Sequence, residues 1–390
     1  MSGNSRRSGP RPDKARRNRP GAAVLALALA GAPLAATGLT VGLTAGLTAG
    51  LATGLPGAAQ AQEALTPAQK AERVFHTFGR YGAKYSYGPV TEKDGVLTIR
   101  NLKYAVAWPS DAVVKPGAPK KTVTVTFTVE TIAVRRYDYR NPELPHFADV
   151  TYTGMRFGGG LFDAPELRSA LAVFGRQDLV VDIVQTYELD RAAGSIDLDA
   201  FAVTMRGLLR QEMSGRFDGV EFARLMDPNL LEKLGPGSLG SEPPEAAAGT
   251  VLDLFAATRV HRMSYALTDL GGIDKAMAVM AAAQAKKHPD RPKLTDKTMR
   301  QALAGALAGM TARFSGSFAP VMLGAAARWL ETPGTLTIAL KPGRPLPVAG
   351  IVGYLATFSR QAKQRKGQKI DLDPLQKFLG LSVAYTPLPR

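Results

Sequence analysis

Residues 179–217 read LVVDIVQTYELDRAAGSIDLDAFAVTMRGLLRQEMSGRF. Tyr187, Leu189, Ile196, Leu198, Phe201 and Val203 supply its apolar positions, interleaved with polar residues. Near-alternation of this kind marks strands with one face buried and one solvated. Asp190-Arg191-Ala192-Ala193-Gly194 interrupts the pattern with turn residues. The stretch therefore predicts strands over Leu179–Leu189, Ser195–Met205 and Leu208–Phe217, joined by short turns into an antiparallel meander.

The chain on either side extends this reading. Upstream, Thr122–Val129 alternates strictly, with Val123, Val125, Phe127 and Val129 on one side and threonines on the other. Lys84–Val90 and Val96–Ala107 flank the turn Glu92-Lys93-Asp94-Gly95, and Asp149–Phe157 is a further strand. Thr66-Pro67-Ala68-Gln69 has the residues of a capping box and opens a helix that places Ala71, Val74, Phe75 and Phe78 on one face. Ala164–Phe174 reads as a short helix.

Downstream, Gly235-Pro236-Gly237-Ser238-Leu239-Gly240-Ser241-Glu242-Pro243-Pro244 breaks all periodicity. The expected division is residues 62–234 (helix plus sheet), a linker at 235–247, and residues 248–390, mainly helical with late strands rejoining the sheet. Strands are expected near Val260–Thr268, Gly334–Leu340 and Leu381–Tyr385. Helices are expected near Ile273–Lys287, Thr295–Phe314, Ser317–Leu330, Pro347–Lys363 and Asp373–Leu379. Strands first and helices second read as α+β: an antiparallel, curved sheet meander with C-terminal helices packed on it. No alternating βαβ rhythm supports a doubly wound nucleotide fold.

Residues 1–61 carry an address. Arg6, Arg7, Arg11, Lys14, Arg16, Arg17 and Arg19 precede an uncharged stretch, Gly21 to Ala61, that ends Ala59-Gln60-Ala61. A basic head, an apolar stretch and a small-x-small ending read as a signal peptide cut between Ala61 and Gln62. The expected location is the periplasm; the alternative is an uncleaved N-terminal membrane anchor. The whole chain has a formal charge of +16, of which the head supplies +6, leaving +10 on the part from Gln62 onward. That excess suits an anionic membrane surface or acidic glycans. Nucleic acid is not an expected partner, because no aromatic–basic motif is present. Cysteine is absent, which excludes disulfides and lipid attachment through sulfur.

Candidate chemistry is sparse. Gly235–Gly240 matches a dinucleotide fingerprint in letters only, since Pro236 removes an amide and no strand and helix flank it. His76, His146, His261 and His288 have no metal-ligand spacing, so neither a metal nor a cofactor is expected. No nucleophile elbow occurs. Asp178, Asp182, Glu188, Asp190, Asp197 and Asp199 form the densest acidic region. Asp197 and Asp199 share a strand face and could act as a hydrolytic pair, but solvated face residues give the same pattern. No catalytic residue is assigned. Arg360, Lys363, Arg365, Lys366 and Lys369 follow an apolar helix and could touch a membrane surface.

Several segments resemble uncharacterised exported proteins of Gram-negative bacteria: Asp178-Leu179-Val180, Tyr187-Glu188-Leu189-Asp190, Gly194-Ser195-Ile196-Asp197-Leu198, Pro333-Gly334-Thr335-Leu336-Thr337-Ile338 and Leu379-Gly380-Leu381-Ser382-Val383. These are strand-and-turn patterns, and the resemblance implies no activity. A similarity also exists, at the level of fold, to envelope proteins whose curved sheets hold lipid. The first expectation is therefore a non-enzymatic envelope protein holding a lipid or other apolar ligand between sheet and helices. The alternatives are an envelope interaction module with a protein partner and no small ligand, and, ranked below both, a carboxylate hydrolase.

Overall fold

The structure is a computed structural model describing residues 65–79, 83–109, 122–159, 179–222, 255–288, 295–364 and 368–389. The leader with Ala61 and Gln62, the linker, Asp178, Ala164–Phe174, Arg365 and Lys366 lie outside the described residues.

The described residues open with helix α1 (Pro67–Gly79). Its predicted capping box is present: Gln69 N–H donates to Thr66 Oγ1 at 3.3 Å, and Thr66 N–H donates to Gln69 Oε1 at 2.8 Å. Eight strands follow: β1 (Lys84–Ser86), β2 (Val90–Lys93), β3 (Val96–Pro109), β4 (Thr122–Tyr137), β5 (Phe147–Gly158), β6 (Val180–Asp190), β7 (Ser195–Met205) and β8 (Leu209–Asp218). After the linker region come β9 (Arg259–Asp269), α2 (Gly272–Lys287), α3 (Asp296–Met310), β10 (Phe314–Ser315) and α4 (Phe318–Glu331). The chain closes with β11 (Gly334–Leu340), β12 (Leu346–Pro347), α5 (Val348–Gln364), β13 (Ile370–Asp371), α6 (Asp373–Leu379) and β14 (Leu381–Pro387).

Among the described residues twelve strands form one antiparallel sheet in the order β1-β3-β4-β5-β6-β7-β8-β9-β11-β14, with β2 on β3 and β12 on β9. The sheet is open, and the fold is α+β as the strand-then-helix order predicts. Strands β8 and β9, which flank the linker in sequence, pair directly from Leu209↔Asp269 to Asp218↔Arg259.

Turn chemistry explains the register. Asp94 and Gly95 both have positive φ (52° and 75°), the conformation a two-residue hairpin needs between β2 and β3. Gly194 (φ 62°) closes the turn between β6 and β7, where the Asp190 carboxylate accepts the Ala193 N–H at 3.0 Å. Strand β7 contains a bulge that the alternation rule does not anticipate: Leu198 pairs with Tyr187, but Ala200 pairs with Thr186, leaving Asp199 over.

The register sorts side chains onto two faces. One is the more polar, mixing threonine and glutamate with small apolar residues: Thr98, Ala133, Thr151, Val184, Ala202, Glu212, Ala266, Thr337 and Ala384 form one transverse row of it. The other is apolar and carries the core. At its N-terminal end Ala71, Val74 and Phe75 of α1 pack on Leu97, Ile99, Ile132 and Val134. At its C-terminal end Phe318 and Ala319 of α4, with Leu372, pack against Leu381 and Val383 of β14. Helices α2, α3 and α4 are held together by Met277, Ala281 and Met299, and by Ala304, Ala327 and Leu330.

Candidate functional site

The apolar face can be followed row by row across the sheet. One row runs Leu97–Val134–Val150–Gln185–Phe201–Met213–Tyr265–Ile338–Val383. The next runs Ile99–Ile132–Tyr152–Ile183–Val203–Gln211–Leu267–Leu336–Tyr385. Both rows stay apolar over nearly their whole length, yet their burial changes. Leu97 is 1% exposed beneath α1, whereas Ile338 is 37% exposed. Ile183, Met213, Tyr265, Leu267 and Leu336 are half-buried. Apolar area left in contact with water costs roughly 25 cal/mol per Å² relative to burial. Between the parts covered by α1 and α4, this face thus keeps apolar area in contact with water.

Three polar groups interrupt it. Gln185 and Gln211 each occupy one position in the two rows and are half-buried. The Tyr265 hydroxyl is buried without a hydrogen-bond partner, and burial raises its pKa. Gln211 and Tyr265 are diagonal neighbours on paired strands, a placement whose Cα atoms lie about 7–8 Å apart. An apolar track with a few polar groups inside it is the composition of a ligand-binding surface. Nothing in the arrangement supplies a nucleophile with a base.

The carboxylates of the acidic region do not converge. Asp182 receives Arg206 in bidentate fashion (2.8 and 2.7 Å) and the Gly154 N–H at 2.7 Å. Burial pushes this carboxyl up, but these donors outweigh it and hold it below the usual range. Gly154 is the extra residue of a bulge in β5 and has φ +69°, so the ion pair also pins a backbone irregularity. Glu188 pairs with Arg136 at 2.5 Å, and Asp197 with Arg262 at 3.0 Å. Asp199 sits exposed in the β7 bulge. Asp197 and Asp199, which could have acted as a pair, are therefore a salt-bridged residue and a bulge residue.

The histidines are likewise apart. His261 Nε2 lies 2.7 Å from Asp218 Oδ2 at the edge of the polar face, and His76 lies 3.6 Å from Glu143. The backbone N–H of His146 donates to Asp138, a buried carboxylate that also takes the Arg140 N–H and the Asn141 amide. Burial raises the Asp138 pKa, yet these three donors bring it below the usual range. Asp138 organises a loop. Among the described residues no grouping of three or more His, Asp or Glu side chains could hold a metal ion, and no helix is long and apolar enough to cross a membrane. Of the basic cluster, Arg360 and Lys369 are exposed; Lys363 lies in α5.

Sequence reasoning missed a buried ion pair that joins the sheet to the helices. Arg300 of α3, 4% exposed, donates to Asp269 Oδ2 at 2.7 Å and to the Leu330 carbonyl at 3.0 Å. Its Nε lies 2.6 Å from the half-exposed Asp274 Oδ1, an ion pair without hydrogen-bond alignment. Asp269, at the end of β9, also accepts the N–H groups of Gly271 and Ile273 at the start of α2. One carboxylate thereby ties the sheet to α2 and α3, and Arg300 extends the tie to α4.

A family model described as "Uncharacterized protein" matches residues 202–370, from β7 to β13. That span contains Met213, Tyr265, Leu267 and Leu336 of the apolar face and the Asp269–Arg300 tie. No curated protein matches the chain.

Proposed function

We propose that this protein works in the cell envelope as a non-enzymatic carrier or holder of a lipid or similarly apolar ligand, which it binds along the apolar face of its sheet. The observation that carries the reading is the pairing of constant chemistry with changing burial: the rows that are sealed at Leu97 and Ile99 continue as apolar, half-buried residues at Met213, Tyr265, Leu267 and Leu336. Gln185, Gln211 and the unpartnered Tyr265 hydroxyl offer polar contacts to one end of an amphiphile. The basic leader followed by an uncharged stretch supports export to the periplasm, and the surplus of basic residues, Arg360 and Lys369 among them, suits an anionic membrane surface as the ligand's source.

The test uses the full chain purified from envelope fractions without detergent and extracted for lipid mass spectrometry. Co-purified lipid at a fixed molar ratio is expected, and Met213→Glu is expected to reduce it at least tenfold while the melting transition persists. Absence of lipid, together with failure to bind fluorescent phospholipid or fatty acid, defeats the reading.

A further inference from the structure

The two edges of the sheet are built differently. At one, β3 is flanked by the three residues of β1 and the four of β2, which expose Lys84, Glu92 and Lys93. Short, charged edge strands are the usual guard against further pairing. At the other edge lies β14, seven residues long, with neither a charged residue nor a register shift against β11.

The direction of its main-chain groups follows from the register. Lys341 N–H donates to the Gly380 carbonyl at 3.0 Å, and Leu388 N–H donates to the Pro333 carbonyl at 3.4 Å. In an antiparallel pair, hydrogen-bonded and non-bonded positions alternate. Ser382, Ala384 and Thr386 therefore turn their N–H and C=O groups toward β11, while Leu381, Val383, Tyr385 and Pro387 turn theirs outward. Pro387, which has no N–H, falls at an outward position, where proline costs the sheet nothing. Side-chain packing fixes the strand: Leu381 and Val383 pack beneath α4, and the Tyr385 hydroxyl donates to the carbonyls of Thr332 (3.2 Å) and Pro333 (3.5 Å). Ser382, Ala384 and Thr386 are exposed on the polar face. Among the described residues no strand pairs with the outer side of β14.

We propose that β14 pairs antiparallel with β14 of a second copy of this chain, about a two-fold axis at Ala384. The parity is self-complementary. Val383 then faces Tyr385 of the other copy and exchanges both main-chain bonds with it, and the Leu381 N–H meets the Pro387 carbonyl. The smallest side chain of the strand meets itself at the axis, and identical strands approach with no like charges opposed. A two-fold contact of this kind closes the assembly at a dimer. The guarded β1–β2 edge offers no equivalent.

Light scattering on the purified full chain is expected to give a dimer. Ala384→Lys and Ala384→Glu each place like charges against each other at the axis, and each alone is expected to halve the mass. Mixing the two variants is expected to restore the dimer. Melting curves confirm that the variants fold; should Ala384→Lys not fold, the double variant Ser382→Lys with Thr386→Lys, whose lysines would oppose each other across the axis, takes its place. A wild-type monomer overturns the proposal, and so does a dimer that neither charge dissociates. Lipid recovery is measured on the same samples, so failure here is distinguishable from failure of the ligand reading.

Discussion

The two ends of the apolar face make an instructive contrast. At β3–β5 the face is sealed: Ala71, Val74 and Phe75 of the amphipathic helix α1 are buried in one cluster with Leu97, Ile99, Ile132 and Val134. At β8–β11 the same rows carry residues of the same chemistry, but Met213, Tyr265 and Leu267 are only half-buried. The first region is a finished core. Two tyrosines secure it, Tyr85 and Tyr87 donating to Glu72 of α1 at 2.9 and 2.5 Å, and Phe75 lies 5.5 and 5.4 Å from their ring centroids. The second region has apolar surface but incomplete cover. Chemistry alone does not distinguish a core from a binding surface; cover does.

Truncations test this difference most strongly. Phe75→Ala is expected to cost about 3–5 kcal/mol, the range for a large apolar side chain removed from a sealed core. Leu267→Ala in the half-buried region is expected to cost about 1 kcal/mol, because less area is lost from burial. Denaturant midpoints measure both, and equal losses would erase the distinction. Arg300→Met tests what holds the helices beside the second region. It leaves Asp269 buried without its cation, and breaking such a pair typically costs about 3–5 kcal/mol. The two N–H groups that remain on Asp269 place the expectation near the lower end, with the loss seen first in hydrogen exchange of α3 and α4. The smallest effect is expected from Tyr265→Phe. Removing a buried hydroxyl that has no partner should leave stability unchanged or raise it by roughly 1 kcal/mol, while weakening retention of an amphiphilic ligand. A clear destabilisation would show that the hydroxyl is bonded in the ligand-free protein.

Much of the fold is legible in the sequence because period-two alternation and turn residues act locally. Thr122–Val129, the Asp94-Gly95 hairpin and the β6–β7 turn are each specified within a few residues. The β7 bulge has a local trace as well: Leu198 and Phe201 share the apolar face although they are three positions apart. The candidate site is less legible. Alternation shows that a strand has two faces and says nothing of what lies over either. Arg300 reads as an ordinary polar residue of a helix, and its partner stands 31 residues away. Gln185 and Gln211 look like solvated strand positions until the register places them in apolar rows.

The strand order has a further consequence, for the route by which the molecule forms. From β3 to β9 every strand pairs with the strand next to it in the chain. Each new pairing then closes a loop onto structure already formed, and closure entropy rises only slowly with loop length. Such a sheet can grow in one direction, α1 sealing its first strands before the last ones join. Strand β14 is the last described strand in the chain, so the edge it forms is the last of the described sheet to be completed.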